Sequence, residues 1–185
     1  MTLLSNALLG LALAPLTLLA QDRYMTRTGH VDFHSSTPIE DIHADNDKAV
    51  SVWDAGTGAL EISMLIKAFT FKKALMQEHF NENYMESGKF PKSNFKGSIK
   101  GVTAAQLAVA GTYPVTVEGQ ITIHGVEKPV KAGGTITVDG KGGIRADSQF
   151  KVKPADHDIK IPGAVRDNIA ESIQITVRFD YTKMP

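Results

Sequence analysis

"YPVTVEGQITIHGVEKPVKAGGTITVDG", Tyr113 to Gly140, decides the fold. Its first half alternates without a break. Val115, Val117, Gly119, Ile121 and Ile123 fall on one face; Thr116, Glu118, Gln120, Thr122 and His124 fall on the other. Successive side chains of a strand point to opposite sides, so this is a strand with one apolar and one polar face. Gly125-Val126-Glu127-Lys128-Pro129 has the composition of a hairpin loop. Alternation then resumes through Val130, Ala132, Ile136 and Val138.

The same period extends outward in both directions. Downstream, Ile144, Ala146, Phe150 and Val152 share a face, as do Ile173, Ile175, Val177, Phe179 and Tyr181. A longer connection around residues 154 to 170 separates these two runs. Upstream, "SNFKGSIKG" places Phe95, Gly97 and Ile99 together, and "ALEISMLIK" does so for Leu60, Ile62, Met64 and Ile66. "KAVSVWD" and "GHVDFH", with Val31 and Phe33, complete the set. Asp54 to Gly58 is a turn, so the strands on either side of it pair as a hairpin.

One stretch breaks the period. In "KKALMQEHFNENYMES", Leu75, Met76, His79, Phe80 and Asn83 recur at helical spacing, and Glu78, Glu82 and Glu86 form a solvated face. The spacing predicts a helix over 72–86. Gly88 suits the left-handed position after it, and Pro91 stops it resuming.

Eight strands, one helix and no parallel crossover units make an all-β chain. Strands with one polar face cover a single core in antiparallel order. Closing the sheet removes its exposed edges. The fold expected is an extended eight-stranded antiparallel β-barrel, lipocalin-like, with one short helix capping a barrel end. A two-sheet sandwich is the structural rival. An eight-stranded barrel is either filled by its side chains or holds one small ligand. Gly97 and Gly119, on inward faces, are expected to leave room in the lumen.

Composition narrows the function. With 20 basic and 20 acidic residues among 185, the formal charge is zero, which gives no electrostatic reason to expect nucleic acid as partner. Without cysteine there is no disulfide, thiolate metal site or thiol nucleophile. The first charged residue is Asp22, preceded by a Leu- and Ala-rich run from Leu3 to Ala20. Residues 1–20 read as a secretory signal peptide cut after Ala20, with an uncleaved anchor as the alternative. Residues 21–185 are then one domain exported to the periplasm or beyond the cell.

Catalytic motifs are missing: there is no G-x-S-x-G, H-E-x-x-H or Walker loop. The six histidines give no metal-ligand spacing. His30 and His34 share a strand face but stand roughly 13 Å apart. His43, among Asp41, Asp45 and Asp47, reads as part of a solvated loop, and His79 as a buried-edge residue of the helix. His157 has Asp156 and Asp158 beside it on opposite faces. His124 is expected to hydrogen-bond within its turn, its ring against neighbouring strands; no oriented partner for general-base chemistry lies nearby in sequence. The expectation is no catalytic residue, no metal and no cofactor.

Four segments, "GHVDFHSS", "FTFKKALMQEHFNENYMESGKFPKSNFKG", "GQITIHGVEKPV" and "DIKIPGAVRDNIAESIQITV", come in an order that resembles the YceI-like family of polyisoprenoid-binding proteins. The resemblance runs from about Arg27 to Tyr181. It implies a lipocalin-like barrel, exported in bacteria, around a long isoprenoid-type lipid. It places His124-Gly125 in the family's T-I-H-G turn, and Phe69, Phe71, Leu75, Met76, His79 and Phe80 in its barrel-mouth segment. The chain departs at Asp156 to Ile159: many members carry an aromatic residue and a glycine in place of His157 and Asp158.

An apolar lumen follows from the alternation itself if Ile62, Met64, Ile66, Val117, Ile121, Ile123, Ile175 and Val177 point inward. Phe33, Phe95 and Phe150 extend the same faces. Adding Phe69, Phe71, Leu75, Met76, Phe80 and Tyr84 from the mouth segment gives the candidate ligand-binding set. Each buried methylene contributes ~0.8 kcal/mol, so a long alkyl chain needs few polar contacts. The function expected is non-catalytic binding, storage or transport of a long-chain isoprenoid or other apolar lipid. The alternatives are a plugged barrel acting as a surface interaction module and an enzyme using His124 or His79 on a lipid.

Overall fold

A computed structural model describes residues 22–185. The predicted signal segment lies outside them. Nine strands follow in order: β1 (Arg23–Ser36), β2 (Asp41–Asp54), β3 (Ala59–Leu65), β4 (Thr70–Phe71), β5 (Lys92–Lys100), β6 (Gly111–Ile123), β7 (Val126–Val138), β8 (Ile144–Val152) and β9 (Ile173–Lys183). The sheet runs β1-β9-β8-β7-β6-β5-β3-β2 and closes by β1 pairing with β2. Every pairing is antiparallel. The two-residue β4 continues the place of β3 beside β2, facing Ala44 and Asp45. The barrel is therefore the expected one, not the sandwich.

Several boundaries differ from the expectation. His43 lies in β2, not in a loop: β2 begins at Asp41, and His34 and His43 face each other across the β1–β2 ladder. "DIHADND" does alternate, with Ala44 and Asn46 fully buried. Alanine and asparagine carry that inward face, so the apolar signal is faint. Asn46 is acceptable there because its amide donates to the Leu65 carbonyl at 3.0 Å, and its own oxygen accepts from the Lys48 amide at 2.9 Å. The β6–β7 loop is also shorter than expected. Ile123 pairs with Val126, leaving only His124 (φ 51°) and Gly125 (φ 76°) in the turn. Two successive positive φ values are those of a type I′ hairpin, whose twist matches the strands. Pro129 accordingly lies inside β7.

The helix is less regular than its spacing implied. The α-helix α1 covers only Ala74–His79, and Phe80–Tyr84 widen into a π-type turn. The Asn81 side-chain amide donates to the Gln77 carbonyl at 2.8 Å, the acceptor an α-helical Asn81 N–H would use. The chain then closes wider, with Met85 N–H donating to Phe80 O at 2.8 Å. The residue in the left-handed region is Glu86 (φ 41°), not Gly88. His79 is exposed rather than at a buried edge.

The two inward glycines also serve differently. A Cβ at Gly97 would stand 2.5 Å from the Phe95 ring and 2.2 Å from the Glu118 carbonyl; one at Gly119 would stand 2.3 Å from the Lys96 carbonyl. They bring the facing backbones of β5 and β6 close together, and a folded-over Phe95 ring takes the room beside Gly97.

One end of the barrel is a solid floor. Tyr24, Trp53, Phe179 and Tyr181 are all buried, with ring centroids 5.6 Å (Tyr24–Trp53), 5.8 Å (Trp53–Tyr181) and 6.1 Å (Phe179–Tyr181) apart. The Tyr181 hydroxyl lies 2.7 Å from Ser51 Oγ, and burial pushes its phenol well above the ordinary range. A raised folded-state pKa leaves stability intact below the unfolded tyrosine value of about 10 and removes it as pH climbs beyond. Urea titrations at about pH 9 and about pH 11 should show that loss, and Tyr181→Phe should reduce its pH dependence.

Candidate functional site

Above the floor the barrel is open. A cavity of about 500 Å³ occupies the upper lumen, a volume ordinary for a small-molecule pocket. All seventeen residues of the sequence-predicted set border it. Val117, Ile123, Phe150, Ile175 and Val177 face inward yet are only half-buried. Their free surface is the cavity wall. A plugged barrel would have covered it.

Phe33 on β1 organises the upper wall. Its ring centroid lies 5.4 Å from Phe69, 5.7 Å from Phe71 and 5.4 Å from Phe80, and Phe71 and Phe80 are 5.0 Å apart. The turn from β3 through Ile66–Ala68 into β4 brings Phe69 and Phe71 to this cluster. The π-type turn re-aims Phe80 onto it. Leu75, by contrast, is 61% exposed and touches the cavity only at its rim.

Sequence reasoning missed the second cover of the mouth. The connection between β8 and β9 crosses the barrel end and contributes Pro154, Ile159, Ile161, Val165, Asn168 and Ile169 to the cavity wall. The signal was present as aliphatics spaced through an otherwise polar loop. Polar groups gather where this cover meets the β1–β2 hairpin. Glu40 accepts from the Asn168 amide at 3.1 Å and from Lys73 Nζ at 3.5 Å, and these bonds hold its carboxyl below the usual carboxylate range. Ala170 N–H donates to the buried Ser35 hydroxyl at 2.9 Å. Burial, with the Glu40 charge adding, raises the Tyr84 phenol, so it stays neutral beside the rim.

His124 ties the two covers together. Its ring is buried on the outer side of the β6–β7 tip and does not border the cavity. Nδ1–H donates to the His157 carbonyl at 3.1 Å, and Nε2 is hydrogen-bonded to the Glu86 carboxyl group at 2.8 Å. Phe90 packs on the ring at 4.4 Å, and a Cβ on Gly125 would stand 2.6 Å from the same phenyl group. His157, itself buried, donates from Nδ1 to the Val126 carbonyl at 3.1 Å. Asp158 has φ 56°, the conformation that favours glycine and that aspartate tolerates. The expected in-turn hydrogen bond is thus replaced by bonds to residues 38 and 33 positions away. Replacing His124 with Ala strands the His157 carbonyl and should cost about 1–3 kcal/mol by urea unfolding. Hydrogen exchange should quicken in both covers, at residues 74–90 and 154–170, before it quickens in the strands.

His30, His34 and His43 pair with aspartates on the outer face of β1 and β2. His30 Nδ1 lies 2.7 Å from Asp47, and that hydrogen bond raises the His30 pKa. His43 lies 3.1 Å from Asp45. No group of three or more metal-ligating side chains converges among the described residues.

The family described as YceI-like domain matches residues 25–181. No curated protein matches. Among solved structures, the chain is similar to a polyisoprenoid binding domain from Saccharophagus degradans implicated in plant cell wall breakdown, with TM-score 0.75 and 13% identity over 89% of this chain and 99% of that one. It is also similar to Burkholderia cenocepacia BcnA, with TM-score 0.69 and 16% identity over 84% of this chain and 96% of that one. At such identities the likeness is one of fold.

Proposed function

Because this chain belongs to the YceI-like domain family, we propose that it is a non-catalytic carrier or store for a long-chain apolar lipid of the isoprenoid type, held in the barrel lumen. The observation that carries the reading is the cavity of about 500 Å³, walled by aliphatic and aromatic side chains and closed below by Tyr24, Trp53 and Tyr181. The binding of polyisoprenoid by the Saccharophagus degradans domain of the same fold supports the ligand class.

The distribution of polar groups orients the ligand. The deep wall is mostly hydrocarbon, with the Tyr181 hydroxyl engaged by Ser51 and the Ser148 hydroxyl by the Gly133 carbonyl. At the rim stand Glu40, Asn168 and Tyr84, with Lys73 already paired to Glu40. The tail lies inward and a neutral, hydrogen-bonding head lies at the rim. A phosphorylated head would face the Glu40 carboxylate, and among the described residues the one lysine bordering the cavity, Lys73, is already paired to Glu40.

Catalysis is not part of the proposal. His124 has both nitrogens engaged outside the lumen, and His79 reaches only the rim. The uncharged Leu- and Ala-rich start of the chain supports export, with the barrel working outside the cytoplasm. Native mass spectrometry of protein purified without detergent from an exporting host, followed by organic extraction, tests the reading. One prenyl lipid per chain is the expected result. An apo mass that stays unchanged on addition of prenol would sink it.

A further inference from the structure

The barrel wall is incomplete at one seam. On its β6 side, β7 is paired throughout, from Val126 to Val138. On its β8 side, pairing covers only Gly134 to Val138, facing Ile144 to Ser148. β8 nevertheless continues to Val152 in its ladder with β9. Residues 126–133 of β7 and 149–152 of β8 are therefore both extended, side by side in the wall, and unpaired with each other.

The sequence holds this seam open. Pro129 sits within the unpaired part of β7, opposite Gln120 of β6. Proline lacks the N–H a ladder needs and is tolerated where one side of a strand is free. Two side-chain bonds bound the gap. Below, Ser148 Oγ donates to the Gly133 carbonyl at 2.9 Å; above, His157 Nδ1 donates to the Val126 carbonyl at 3.1 Å. Between them, Val130, Ala132, Phe150 and Val152 all border the cavity and all remain half-buried.

We propose that this seam is a side channel of the lumen, which receives the part of a chain too long for the barrel. The inference rests on the lipid-binding reading and specifies its ligand: a polyprenyl chain longer than the lumen. The aromatic floor blocks such a chain below, and at the mouth it would meet the Glu40, Lys73 and Asn168 cluster. The seam offers apolar jambs, and no ladder hydrogen bond has to break for a chain to lie there.

Lys131 and Lys151 flank the seam and are exposed, as is Lys96 on β5, two strands from β7. Benzoylphenylalanine placed at each of these three positions reports whether a bound chain emerges. The probes are farnesol and solanesol, the latter three times as long. Irradiated with solanesol, the probes at 131 and 151 should give at least about tenfold more adduct than the one at 96, and farnesol should give little at any of them. Solanesol that binds stoichiometrically yet labels neither seam position, or labels Arg166→benzoylphenylalanine at the mouth cover instead, overturns the side channel and leaves the carrier reading standing. Failure of the unsubstituted protein to bind either prenol by native mass spectrometry overturns both.

Discussion

A protein carrying Val117→Trp and Val177→Trp should lose prenol binding by more than about a hundredfold while keeping its fold. Both side chains face the lumen from opposite walls, β6 and β9, and both present free surface to the cavity. Two indoles there would occupy space that a chain would otherwise fill. Excluding four methylenes from burial forfeits about 3 kcal/mol, which is more than two decades of affinity. The apolar surface of the indoles replaces that of the ligand, so the unfolding midpoint should hold or rise. A titration with a fluorescent prenol, beside a thermal melt, checks both halves. Unchanged affinity would mean that lipid binds elsewhere than in the lumen.

The second large effect concerns the floor. Phe179→Ala should destabilise the protein by about 3–5 kcal/mol. The Phe179 ring is 2% exposed, stands edge-on to Tyr181, and lies over Gly29, where a Cβ would come within 2.4 Å of its Cδ1. Gly29 ends a bulge in β1 that starts at Thr26, which bends the strand against the ring. A cavity beneath so tight a contact has little means of collapsing, which places the cost at the upper end of the range. Urea unfolding followed by tryptophan fluorescence reads this directly, since Trp53 is the only tryptophan and sits in the floor. A shift below about 1 kcal/mol would show that the floor is loosely packed.

Much of this protein was legible because its strands are amphipathic at period two. Val115 to Ile123 and Ile173 to Tyr181 could face inward in only one register, since a slip by one residue would bury Glu118 or Arg178. Polar outer faces on every strand made closure the natural solution, and the aliphatic inner faces already marked the lumen wall. All of this lies in local pattern. What the sequence did not determine depends on partners distant along the chain. "DIHADND" alternates, but Ala44 and Asn46 are weak markers, and the Asn46 amide finds its acceptor only in the Leu65 carbonyl, which folding brings beside it. Gly88 looked like the helix stop, yet Glu86 takes the left-handed turn, and its carboxylate meets His124 from 38 residues away. Gly97 and Gly119 looked like empty space, and the approach of two backbones made them a close contact. The closed floor, the two tied covers and the unpaired β7–β8 seam arise only when the barrel shuts. Period-two alternation dictates which side a residue faces. How far each strand extends beside its neighbour, and so where the wall is open, is decided by the three-dimensional meeting of the strand ends.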